Sequence, residues 1–164
     1  MCAWIMAQSI KNCFFISSKI DDSYGSCIVS KKAFLQINGY DEAFSNWGGE
    51  DKDLYQRLVW AGLKALNYPD NFLSAIKHDD TIRQIDSSKN DQFKINNLYR
   101  EVKYDLIRIF NRNLSAEEAI LLYTKITSAY LNPNIQSFEI RLPIRLLEIQ
   151  NMNKTLKYIL NKKT

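Results

Sequence analysis

Glu50, Asp51 and Asp53 set three carboxylates into one short stretch, directly behind Trp47-Gly48-Gly49. A carboxylate that takes a proton from a hydroxyl must be ionised and fixed in direction. The first turn of a helix provides both, because its free N–H groups and dipole favour negative charge. Two glycines just ahead open backbone angles closed to other residues and let a ligand come close. Trp47 adds a flat apolar face of the kind on which sugars stack. The plainer reading is that the acids only stabilise a helix start, where acidic residues are common. The Trp-Gly-Gly weighs against it, since glycines directly before a helix need a reason.

The elements around these residues follow from pattern. Cys13–Ser17 and Gly25–Val29 are short apolar runs, expected as buried strands. Ser30 caps an expected short helix over Lys31–Ile37, ended by Gly39. Asp41–Trp47 reads as a loop, and a helix is expected from Glu50 to Ala61, with Leu54, Leu58 and Ala61 on one face and Gly62 as its stop. Lys64–Tyr68 and Phe72–Lys77 are strand candidates either side of the turn signal Pro69-Asp70-Asn71.

Composition changes near Asp86. Ile85–Gln92 is polar and expected as a loop. Beyond it Ile95, Leu98, Tyr99, Val102, Leu106, Ile109 and Phe110 recur at three- and four-residue steps, one apolar helical stripe. Ser115-Ala116-Glu117-Glu118 is a capping box for a helix to about Leu131, which Pro133 ends. Pro143 suits the start of a third helix carrying Leu146, Leu147, Ile149, Leu156 and Leu160.

His78 is the only histidine, followed by Asp79 and Asp80. A lone histidine is usually structural or a surface residue. A neutral imidazole with carboxylates can also hold Mn²⁺ or Mg²⁺.

Trp47-Gly48-Gly49-Glu50-Asp51, with Asp53-Leu54 and Arg57-Leu58 behind it, resembles the galactosyltransferase signature of several glycosyltransferase families. These are the β-1,4-galactosyltransferases, the polypeptide N-acetylgalactosaminyltransferases and the bacterial chondroitin-polymerase-type enzymes. Ser30-Lys31-Lys32-Ala33-Phe34 and Ile37-Asn38-Gly39-Tyr40-Asp41-Glu42 match the segment that precedes it in those families. The resemblance spans residues 23–80 and rests on three blocks in order. It implies that Asp51 is the catalytic base and that Glu50 binds the acceptor sugar. Trp47, Gly48 and Gly49 then contact acceptor and donor phosphates, Asp53 joins the substrate-binding residues, and His78 is a metal ligand. Arg57 is expected to orient the helix instead of touching substrate.

The expected fold is α/β: a half-sheet of a GT-A (nucleotide-diphospho-sugar transferase-like) domain over residues 1–88, then a C-terminal helical region over 89–164. The implied activity is inverting, metal-dependent transfer of a sugar from a nucleotide-sugar, a UDP-sugar, to a glycan acceptor. The alternative is a non-catalytic carbohydrate-binding or interaction module derived from such an enzyme. The families carry a nucleotide-binding half ahead of this region, and only 22 residues precede Ser23. Asp51-Lys52-Asp53 lies in the acceptor-site helix and does not replace its Asp-x-Asp. The chain is therefore expected to be a C-terminal piece: a truncated gene product, an expression fragment, or one part of a split enzyme that works with a separate nucleotide-binding half.

Apolar residues at 46% and charged residues at 24% fit a globular domain and exclude a disordered tail. Cys2, Cys13 and Cys27 show no CxxC spacing, which argues against a disulfide framework or zinc site and for a reducing cytoplasm. No run of eighteen apolar residues exists to span a bilayer. The net charge of +4 gathers in the tail as Lys154, Lys157, Lys162 and Lys163. Such a tail is a solvated helix end or a peripheral membrane contact; without aromatic interleaving, nucleic acid is not an expected partner.

Overall fold

The computed structural model describes residues 12–18, 25–45, 47–69, 71–72, 89–141 and 155–160. The chain forms two compact units. The first gathers residues 1–41 and 50–85, and the second residues 42–49 and 86–164.

Among the described residues the first unit is a small mixed sheet with two helices. Strands β1 (Cys13–Ile16), β2 (Cys27–Ile28) and β3 (Lys64–Asn67) lie in the order β2-β1-β3. β2 runs antiparallel and β3 parallel to β1, with Phe15 opposite both Ile28 and Leu66. Central β1 reads as an unbroken apolar run because both of its faces are covered. Phe14 packs on one face with Ala33, Ile37, Leu54, Tyr55 and Leu58. Cys13 and Phe15 pack on the other with Tyr68, Ile28 and Leu66. Burying a side chain such as Phe14 contributes roughly 2 kcal/mol.

Helix α1 (Lys31–Gln36) starts where Ser30 Oγ accepts the Ala33 N–H at 3.2 Å. It ends in a left-handed turn at Asn38 and Gly39, whose N–H returns to Phe34 O at 2.9 Å. Helix α2 (Glu50–Trp60) carries Glu50, Asp51 and Asp53 in its first turn. Gly62, with φ +87°, closes it as the Leu63 N–H bonds back to Leu58 O. The Pro69 turn forms, with the Phe72 N–H on Pro69 O at 3.0 Å. The strand expected over Phe72–Lys77 lies, past Phe72, outside the described residues.

The second unit is built on α3 (Lys89–Phe110) and α4 (Ala116–Leu131). The stripe on α3 is core: Ile95, Tyr99, Val102, Leu106 and Ile109 pack with Leu122, Tyr123, Ile126 and Tyr130 of α4. The Ser115 capping box forms in full, with both reciprocal hydrogen bonds to Glu118. Two expectations are corrected here. The loop expected over Ile85–Gln92 is already helical from Lys89, because Asp91 and Gln92 find partners in Tyr130 and Ser45. The third helix expected from Pro143, with Leu146, Leu147 and Ile149, lies outside the described residues there, but it does not extend to Leu156: Thr155–Ile159 is strand β5, antiparallel to β4 (Ser137–Arg141). Phe138, Tyr158 and Leu160 enter the core from these strands and the residue after β5, while Glu139 and Lys157 form an exposed cross-strand ion pair at 3.5 Å. The described part of the C-terminal region is thus helices plus a two-stranded sheet. Of the four tail lysines only Lys157 is described. No helix of the described residues is long and apolar enough to cross a membrane.

Candidate active site

In the first unit, Asp51 is the centre of a small polar cluster. Its carboxylate is half-buried in the first turn of α2. The Tyr40 hydroxyl donates to Asp51 Oδ1 at 3.1 Å. Oδ2 lies so close to Gly25 that a Cβ there would come within 2.8 Å of it. Among the described residues no cation pairs with Asp51; its carboxylate meets the Tyr40 hydroxyl and acts on the Cys27 thiol. Its neighbours register that charge. Burial, then the Asp51 carboxylate, push the Cys27 thiol up to about 11, so it stays a thiol at neutral pH. Burial, followed by the Asp51 charge and hydrogen bond, also pushes the Tyr40 phenol well above its ordinary range. Glu50 is half-buried, and its Oε2 is closed off from solvent with no hydrogen-bond partner among the described residues.

Asp53 behaves differently. Its side chain is fully buried, and Oδ2 accepts from Arg57 Nε at 2.7 Å, one helical turn away. Arg57 Nη1 donates in addition to Ile37 O at 2.7 Å and Gly39 O at 2.6 Å. The pair fastens α2 to the turn that follows α1. Arg57 therefore orients the helix, as the sequence suggested. Asp53, expected to bind substrate, is committed to this internal clamp.

The Trp-Gly-Gly loop is described with the second unit. Trp47 is 45% exposed and rests at a 37° tilt on Phe93, ring centres 6.1 Å apart. Gly48 and Gly49 have φ of +93° and +103°. A Cβ on Gly48 would meet Phe93 Cδ2 at 3.1 Å, and one on Gly49 would meet Phe44 Cε1 at 3.2 Å. Both positions need glycine for conformation and for room.

One residue missed in the sequence holds this loop. Asn96 of α3 is fully buried, and its Nδ2 faces three loop carbonyls: Ser45 O at 3.2 Å, Trp47 O at 3.2 Å and Gly48 O at 2.6 Å. Tyr123 donates to its Oδ1 at 2.7 Å. A buried polar group must be satisfied, and here one amide serves a whole loop. The available signal was Gln92, Asn96 and Lys103, polar residues recurring at helical spacing beside the apolar stripe. Tyr40 and Gly25 were also missed as parts of the Asp51 cluster.

Among the described residues no three His, Cys, Asp or Glu side chains converge into a metal centre. His78, the expected metal ligand, lies outside the described residues with Asp79 and Asp80.

A family model described as the N-terminal domain of galactosyltransferase matches residues 16–82. Beta-1,4-galactosyltransferase 2 of Cricetulus griseus is 34% identical over 104 residues, covering 60% of this chain and 27% of the relative. Beta-1,4-galactosyltransferase 1 of Homo sapiens is 46% identical over 39 residues, 24% of this chain and 10% of the relative. Beta-1,4-galactosyltransferase 5 of Danio rerio is 54% identical over 36 residues, 22% of this chain and 9% of the relative. The chain spans about a quarter of the length of the first of these relatives. No solved structure matches it at a significant level. By these matches residues 16–82 are similar to galactosyltransferases and make a partial galactosyltransferase-like region.

Proposed function

We propose that the chain supplies the acceptor-binding and base-bearing half of an inverting, GT-A-type glycosyltransferase acting on a nucleotide-sugar and a glycan. The observation that carries this is Asp51: a half-buried carboxylate at a helix start, with Tyr40 on one oxygen and no cation on either among the described residues. A carboxylate so placed is free to take a proton.

In the proposed reaction the acceptor hydroxyl gives its proton to Asp51 as its oxygen bonds to the anomeric carbon. The bond from that carbon to the diphosphate oxygen breaks, and its electron pair leaves with the nucleoside diphosphate. A single displacement inverts the anomeric configuration. Glu50, half-buried beside Asp51, is the carboxylate proposed to hold a second acceptor hydroxyl. Trp47 offers its exposed ring to a sugar face, and Asp53 serves by position, through Arg57. Mn²⁺ or Mg²⁺, when bound, offsets charge on the leaving diphosphate, and His78 is the residue proposed to hold it.

The exposed Trp47 ring also favours a second reading, a module that binds sugar without transferring it. Incubation with a UDP-sugar, Mn²⁺ and oligosaccharide acceptors, followed by proton NMR of the product, separates the two. The first reading predicts a product of anomeric configuration opposite to the donor. Retention would overturn single displacement. Saccharide binding abolished by Trp47→Ala, with no product formed, would establish the second reading.

A further inference from the structure

We infer that Tyr40 is a positioning residue for the base: its hydroxyl fixes Asp51 by Oδ1 and leaves Oδ2 as the oxygen that receives the acceptor's proton. The inference rests on the proposed transfer and adds a residue and an atom to it.

A carboxylate on a single-bonded Cβ–Cγ axis turns easily, and a base that turns loses aim. Two contacts and a place in the helix limit that turning. The Tyr40 hydroxyl donates to Oδ1 at 3.1 Å. Gly25 lies against Oδ2, in the space a side chain would occupy. Asp51 itself sits on the first turn of α2. With Oδ1 engaged, Oδ2 has no donor among the described residues and keeps its lone pairs for substrate.

Tyr40 is in turn held in place, although its side chain is 42% exposed. Its ring meets the edge of Phe34, centres 6.1 Å apart at 68°. Its backbone follows the left-handed pair Asn38 and Gly39, with φ of 60° and 66°. Arg57 grips the carbonyls of Ile37 and Gly39 in that turn, and Asp53 grips Arg57. The buried ion pair on the far side of α2 thus sets where the Tyr40 hydroxyl stands. The other titratable groups acting on Tyr40 are Cys27 and Glu50.

The test uses the full chain with Tyr40→Phe, Asp51→Asn and the double variant. Two readouts are taken. The first is the titration of the tyrosine rings by NMR with ¹³C at the phenol carbon, assigned by the signal that Tyr40→Phe removes. The Tyr40 signal should titrate far above ordinary tyrosine in the parent and move towards it in Asp51→Asn. An ordinary titration in the parent overturns the contact, whether or not the chain turns over. The second readout is sugar transfer at varied acceptor. Tyr40→Phe should lower kcat about tenfold or more with acceptor KM unchanged, as expected for a hydrogen bond to a charged group. In the double variant it should add nothing to Asp51→Asn. A loss in KM alone, or an effect that multiplies with that of Asp51→Asn, overturns positioning through Asp51. Should Asp51→Asn transfer at the parent rate while the NMR contact stands, the base assignment fails and the contact does not.

Discussion

Removing Arg57 tests whether the clamp beneath the acid cluster has the weight assigned to it. In Arg57→Met the aliphatic volume stays, but Asp53 keeps a fully buried carboxylate with its Arg57 partner gone. Breaking one side of a buried pair costs about 3–5 kcal/mol. The carbonyls of Ile37 and Gly39 also lose their donor. For a chain of this size each kcal/mol lowers Tm by about 2–4 °C, so a fall between about 6 and 20 °C is expected. Circular dichroism melts of parent and variant give the number, and hydrogen exchange shows whether α1 and α2 open first. Asp53→Leu combined with Arg57→Met should recover most of the loss, since the buried carboxylate then goes together with its Arg57 partner. A single variant within about 1 kcal/mol of the parent, or a double variant as weak as the single, would refute the reasoning.

Other outcomes follow from the same geometry. Asn96→Ala should speed amide exchange across residues 45–49, because three loop carbonyls lose one donor; unchanged exchange there would separate Asn96 from the loop. Gly48→Ala and Gly49→Ala should each cost more than Gly62→Ala in a denaturant titration. All three sit at positive φ, but a Cβ meets a ring at the first two and nothing within 4 Å at the third. Ser115→Ala should cost about 1 kcal/mol by loss of the α4 cap, read from the same titration. Hydrogen bonds from Arg112, then the Ser115 N–H, hold the Glu118 carboxyl down to about 2. A folded value below the ordinary 4.5 means its contribution is complete above 4.5 and fades as pH falls towards about 2. Both partners are largely exposed, so the effect is small. The denaturation midpoint of Glu118→Gln should fall less than that of the parent across that window.

Much of the fold was legible because local signals agreed. Ser30, Gly62 and the Ser115 box mark helix ends by side-chain and backbone chemistry that acts over a few residues. β1 was legible as a short apolar run because it is covered on both faces. β5 was misread for a definite reason: Leu156 and Leu160 are four apart, a spacing that suits both a helix face and a strand face. The deciding residues were Lys157 and Ile159, exposed on either side of the buried Tyr158. The pairing of β5 with β4 is non-local, so no short window contains it. The acids of the site were legible by type, and their division of labour was not. Asp51 and Asp53 look alike in the chain, and only packing shows that one meets Tyr40 and the other Arg57. Asn96 was hidden by its neighbours, as a polar residue within a helix whose apolar stripe drew the eye.

The proposed transfer requires that Asp51 take the acceptor's proton. The most direct measurement is the transfer rate at saturating UDP-sugar, Mn²⁺ and acceptor for the parent and for Asp51→Asn, with saccharide affinity measured alongside. Loss of a positioned general base lowers the rate by about 10²–10⁴-fold. That loss with affinity largely kept is the predicted result. Equal rates would contradict it.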